Sequence, residues 1–169
     1  MEYNKLSLVI YNMHGFRNGA CILDELCNKT TNVIAVQEHW LRSDELDKFN
    51  IINADFNYHA VSAIDNAVSR GILKGSPFGG VGFLWHKCFY RNIQVLSNDP
   101  AGRYLVIKLN INLRSILLFS FFESGAEYRS EITYYMGFIE NILDTVTHTD
   151  IIILGDTNFP IDLLTPGLS

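Results

Sequence analysis

The sequence predicts an α/β fold with mixed strand directions, and three observations carry that expectation. Two apolar, β-branched runs at residues 6–11 and 33–37 flank a helical pattern, the strand–helix–strand signature of parallel pairing. Five further strand-like runs with short connections fill the middle of the chain, where close spacing favours antiparallel neighbours. A long helical pattern and one more buried strand follow them.

Length and composition agree with that class. The 169 residues suit a single domain, residues 1–169, that buries about 70% of its unfolded surface. Apolar residues make up 48% and charged residues 18%, which excludes disorder. The net charge of −5 supplies no global cationic field, so a polyanion has to be held by a local patch or a metal ion. Three cysteines without zinc spacing exclude both a disulfide framework and a zinc cluster. No segment approaches the ~20 apolar residues of a membrane span, and the opening residues do not read as an export signal. The expectation is an intracellular protein with no membrane partner.

Taken in order, residues 6–11 form a strand that stops at Asn12, with Gly15 close behind. Residues 19–28 form a helix with Ile22, Leu23 and Leu26 on one face, and Cys21 and Cys27 packed as small apolar groups. Residues 33–37 are a strand buried on both sides. Strands follow at 56–63, 80–86, 92–97, 103–110 and 115–122, and the glycine-rich stretch between the first two reads as a long loop. Within this region Trp85 reads as packing and Arg103 as half of a structural ion pair. Ser130 is expected to cap the best helix in the chain, with Ile132, Tyr135, Met136, Ile139, Leu143 and Val146 along its apolar face. The last strand ends at Gly155-Asp156.

Polar residues gather at three of these strand ends. Asn12 and His14 follow the first strand, Gln37-Glu38-His39 ends the second, and Asp156-Thr157-Asn158 ends the last. In open α/β sheets the ligand crevice lies beyond the carboxyl ends of the strands, so these residues converge toward one rim. Carboxylate and amide oxygens suit a hard cation such as Mg²⁺, which keeps several waters and takes one or two carboxylates plus substrate phosphate. Each residue has a structural reading too. Glu38 is also a solvated strand end, Asn12 is also turn chemistry near Gly15, and Asp156 with Asn158 is also a turn. From the residues alone both readings stay open.

Five strings occur in the order and spacing of a known superfamily: Asn12-Met13-His14-Gly15, Val36-Gln37-Glu38-His39-Trp40, Pro77-Phe78-Gly79-Gly80-Val81-Gly82, Gly102-Arg103-Tyr104 and Gly155-Asp156-Thr157-Asn158. Over about residues 6–160 the chain resembles the endonuclease/exonuclease/phosphatase (DNase I-like) superfamily, most closely the apurinic-type endonuclease domain of non-LTR, LINE-like retrotransposons. The resemblance implies a four-layer α/β sandwich, with mixed sheets flanked by helices, and divalent-metal-dependent phosphodiester cleavage. Mg²⁺ is the implied cofactor, with Mn²⁺ as a substitute. By position it implies that Glu38 is the metal carboxylate and that Asn12 supports the metal and the base. His14, a departure from the family's usual residue, can ligate the metal only in its neutral form. Asp156 orients or deprotonates the attacking water, and Asn158 holds the scissile phosphate. Trp40, two residues past Glu38, reads as core or rim packing and, alternatively, as a platform for stacking on a base. DNA is the implied partner and the nucleus the implied location.

The chain also departs from that pattern. His14 stands where the family usually carries Asn or Asp, and Phe122 where it usually has a Tyr reaching toward the phosphate. The family closes with Ser-Asp-His, whereas no histidine follows Asp156 here. Ser43-Asp44-Glu45 sits in an early helical segment and is no replacement. The resemblance therefore implies a fold incomplete at its C-terminus, with an open apolar edge at 151–155, poor solubility and impaired or absent activity. Losing one such catalytic group typically costs about 10²–10⁴ in rate. A phosphatase of the same superfamily and a non-catalytic relic or DNA-binding remnant are the alternatives.

Overall fold

The structure, a computed structural model, describes residues 5–29, 32–69, 71, 78–122 and 128–156. The elements run β1 (Leu8–Asn12), α1 (Phe16–Asn28), β2 (Val33–Gln37), β3 (Phe56–Val61), α2 (Ile64–Ser69), β4 (Val81–His86), β5 (Ile93–Asn98), β6 (Tyr104–Ile111), β7 (Arg114–Phe122), α3 (Tyr128–Thr145) and β8 (Asp150–Asp156). A 3-10 helix, Ser43–Ile51, links β2 to β3, and a short one, Lys87–Phe89, follows β4. Two mixed four-stranded sheets result, in the orders β1-β2-β4-β3 and β5-β6-β7-β8. Each holds one parallel pair, β1 with β2 and β7 with β8, and each parallel crossover carries a helix, α1 or α3.

Side-chain alternation along the strands builds the layers. Val33 and Ala35 of β2 and Val81, Phe83 and Trp85 of β4 point inward. There they meet Leu105, Ile107 and Leu109 of β6 and Leu118 of β7. The intervening residues Ile34, Val36 and Leu84 point the other way and pack on Leu23 and Cys27 of α1 and Phe49 of the 3-10 helix. Val106, Leu117, Phe119 and Phe121 form the outer face of the second sheet under Tyr135 and Ile142 of α3. The order is helix, sheet, sheet, helix, the four-layer sandwich expected from the sequence.

Several details differ from the sequence reading. In α1 the buried positions are Gly19, Leu23 and Cys27, while Ile22 and Cys21 are exposed. Their spacing of four residues puts the inward stripe about 100° from Ile22. Helix α3 starts at Tyr128, so Ser130 lies in its first turn rather than at its cap, and Met136 faces solvent where Ile142 packs inward. Strand β3 ends at Val61 and helix α2 takes Ile64–Ser69, ahead of the glycine-rich stretch, of which residues 72–77 lie outside the described residues. Ile132 and Pro77 lie outside the residues whose side chains are described. Trp85 is buried in the inter-sheet core, and Arg103 Nε bonds Asp99 Oδ2, as expected.

Two features position the site. Gln37 and Ser120 are both fully buried, and Gln37 Nε2 donates to Ser120 Oγ at 3.1 Å across the sheets. That bond sets the carboxyl end of β2 against the carboxyl end of β7, and β8 runs parallel to β7, with Asp156 opposite Phe122. The ends of β1, β2 and β8 therefore share one rim. In addition, β1 and β8 are terminal strands that lie against each other on one side of the sandwich. Ile10, Ile151 and Ile153 are exposed there.

Candidate metal centre

Asn12, Glu38 and Trp40 come together on this rim. Strands β1 and β2 run in parallel register, with Asn12 opposite Gln37. The pairing continues past both strands: the N–H groups of Met13, Gly15 and Phe16 donate to the carbonyls of Gln37, Glu38 and His39 at 2.9, 2.8 and 2.8 Å. Two loops are thereby held side by side, and Asn12 Nδ2 donates to Glu38 Oε1 at 2.9 Å. The other end of the amide, Oδ1, accepts the His14 N–H at 3.1 Å. Turn chemistry and carboxylate support are thus two uses of one side chain.

The second oxygen of Glu38 is also held, because Trp40 Nε1 donates to Oε2 at 3.3 Å. Each carboxylate oxygen has about two acceptor directions, so one on each remains for a cation. The Trp40 ring lies over Gly15. A Cβ at Gly15 would come within 2.5 Å of Trp40 Cε3, and φ there is +90°, so glycine is what lets the ring seat.

The backbone around this group is strained. His14, Glu38 and Trp40 adopt φ of 46°, 53° and 56°, and the fourth such non-glycine among the described residues, Asn112, sits in a hairpin turn. A left-handed non-glycine residue costs on the order of 1 kcal/mol or more, and such strain clusters at functional sites. Between two of them lies His39, fully buried. Its Nδ1 accepts the Leu41 N–H at 3.0 Å, so the proton sits on Nε2, which donates to Val61 O at 3.0 Å. Burial pulls its pKa down to about 4, against a smaller opposing effect of the Val61 hydrogen bond. The sequence places Gln37 and His39 with the polar residues of the rim, whereas the structure buries both side chains behind it.

The remaining candidates stand as follows. His14 is exposed at the rim, and its carbonyl accepts from Asn18 Nδ2 at 2.9 Å. The backbone of Asp156 reaches the rim at the end of β8, while its side chain, and Asn158 altogether, lie outside the described residues. Phe122 is buried in the inter-sheet core beside Gly79 and brings no hydroxyl to the rim. Among the described residues no three His, Cys, Asp or Glu side chains form a metal cage. One carboxylate steered by two N–H donors fits a hard cation that keeps most of its waters, and does not fit a closed zinc site.

No family model and no curated protein matches the chain. Solved structures do. A humanized TDP2 from D. rerio is 15% identical with a TM-score of 0.60, over 92% of this chain and 63% of that one. The AP endonuclease LMAP from Leishmania major is 13% identical with a TM-score of 0.63, over 89% of this chain and 54% of that one. The endonuclease domain of TRAS1, a telomere-specific non-LTR retrotransposon, is 14% identical with a TM-score of 0.53, over 90% of this chain and 58% of that one. The chain thus spans between half and two thirds of the length of these structures. With two mixed sheets face to face, helices outside them and these neighbours, the chain has the DNase I-like fold.

Proposed function

We propose that the chain is a divalent-metal-dependent phosphodiester hydrolase domain acting on DNA, of retroelement endonuclease type, with Mg²⁺ or Mn²⁺ as its cofactor. The observation that carries this reading is the Glu38 carboxylate, held by Asn12 and Trp40 at the rim where β1, β2 and β8 end. DNA is favoured because structures with this fold include a D. rerio TDP2 complexed with a single-strand DNA product and a Neisseria 3′ phosphatase bound to a product DNA hairpin.

Phosphoryl transfer asks for positioning and charge neutralisation more than for covalent help. The cation, when bound, supplies charge neutralisation at the phosphate and activates water. Glu38 holds it, Asn12 keeps Glu38 aimed, and the exposed His14 offers a further ligand. Asp156 orients or deprotonates the attacking water, and Asn158 holds the scissile phosphate, on the strength of the sequence resemblance. Trp40, half-buried, keeps part of its ring for a substrate base. These 169 residues contain no counterpart of the closing Ser-Asp-His of the resembled family, so this stretch tested alone is expected to bind metal with slow or absent turnover.

Mn²⁺ binding and nicking of supercoiled plasmid, measured on one folded preparation, test the reading. Glu38→Gln is expected to weaken Mn²⁺ binding at least tenfold, with wild-type nicking at or near background. Unchanged Mn²⁺ affinity in folded Glu38→Gln sinks the metal assignment. Metal-dependent nicking that Glu38→Gln and Asp156→Asn both abolish would overturn only the expectation of impairment.

A further inference from the structure

We propose that His39 is the positioning residue of this site, a buried imidazole that locks the Glu38–Trp40 backbone and so aims the Glu38 carboxylate. The inference rests on reading Glu38 as the metal ligand, but its geometry is independent of any metal.

Glu38 and Trp40 both hold left-handed backbone angles that their side chains disfavour, and His39 is the residue between them. Something outside the local sequence has to hold that conformation. The His39 ring does so in three directions. Nδ1 accepts the Leu41 N–H at 3.0 Å, which fixes the chain leaving Trp40. Nε2–H donates to Val61 O at 3.0 Å, which ties the loop to the end of β3. The ring packs edge-on against Phe49 with centroids 5.6 Å apart, which ties it to the 3-10 helix.

The opposite wall of the ring is Gly80. A Cβ there would lie 2.5 Å from His39 Nε2 and Cε1, and φ is +87°, so glycine provides the space the imidazole fills. Next to it, the Gly79 carbonyl accepts the Trp40 N–H at 3.2 Å. The His39 ring and the Gly79-Gly80 turn thus grip Trp40 and Glu38 from one side. Asn12 and Gly15 meet them from the other, through Asn12 Nδ2 and the Gly15 N–H. A side chain filling the same volume without the acceptor and donor would leave the Leu41 N–H and the Val61 carbonyl buried and unpaired, and the loop free to relax.

The test reads the hydrogen bond between Trp40 and Glu38 directly. In metal-free protein the Trp40 indole N–H resonance, assigned by Trp40→Phe, is compared among wild type, Glu38→Ala, His39→Leu and His39→Gln. His39→Leu is expected to move this resonance to the Glu38→Ala position and leave that of Trp85 in place. It is also expected to weaken Mn²⁺ binding at least tenfold per folded molecule. His39→Gln keeps a donor and an acceptor on a more flexible chain. It should retain most of the indole shift and lose two- to fivefold in Mn²⁺ affinity, and it carries the test if the leucine variant does not fold. A folded leucine variant with the wild-type indole resonance overturns the proposal, as does a folded glutamine variant with both the wild-type resonance and the wild-type Mn²⁺ affinity. If Glu38→Gln leaves Mn²⁺ affinity unchanged, the metal reading fails instead, while the indole comparison still judges His39.

Discussion

Glu38 is placed by its neighbours and not by its own preference, since its backbone is left-handed and both carboxylate oxygens carry N–H donors. Its place at the rim was legible from its position just past an apolar strand. How it is held was not, because His39 has no signature in a single sequence that separates a buried strap from an exposed turn residue. Burial gives His39 a testable sign. Its folded pKa is about 4 against 6.5 for the free group, so between those values the unfolded chain binds a proton that the folded chain lacks. The stability contributed by the neutral ring is complete above about pH 6.5 and is lost as pH falls toward 4, on the order of 3 kcal/mol in all. His59, also lowered by burial, acts in the same direction. Urea unfolding at pH 7.5 and 5 should show a clear drop in midpoint, smaller in His39→Gln. Equal drops in both proteins would remove His39 from the account.

At the scale of elements, hydrophobic periodicity located every strand to within about two residues, because alternating positions must face two different layers. It was weaker for helix faces. Ile22 is as apolar as Leu23, yet the stripe that touches β2 and β4 runs through Gly19, Leu23 and Cys27, a glycine and a cysteine that an apolar count passes over. In α3 the same ambiguity put Met136 inward when Ile142 and Phe138 take that place. The two faces of α1 should differ sharply in energetic weight. Leu23→Ala removes a wholly buried side chain and is expected to cost about 2–5 kcal/mol, while Ile22→Ala, about half exposed, should stay within roughly 0.5–1 kcal/mol. Chemical denaturation of the two single variants checks this, and comparable losses would mean that α1 packs on a different face.

The whole molecule shows what local patterns do not contain. Strand β4 inserts between β2 and β3, and Gln37 reaches Ser120 across 83 positions of sequence, so neither the sheet order nor this bond between the sheets has a short-range signal, whereas the polar strand ends did point to a shared rim. The sandwich also has unequal sides. Where β1 and β8 end the two sheets, Ile10, Ile151 and Ile153 are 49%, 42% and 54% exposed, beside backbone groups that no further strand among the described residues pairs. An edge of this kind templates pairing with other chains unless charge blocks it. Ile152 and Leu154 of β8 point into the inter-sheet core, so the outward pair can be changed without opening it. Replacing Ile151 and Ile153 together by lysine should raise several-fold the concentration at which the protein stays monodisperse by light scattering. The loss of packing should be within about 1 kcal/mol, which for a chain of this size lowers Tm by roughly 2–4 °C. A larger fall in Tm would mean that the outward face of β8 contributes to the fold itself. Unchanged association at equal Tm would place the associating surface elsewhere, and Ile10 on β1 would be the next position to charge.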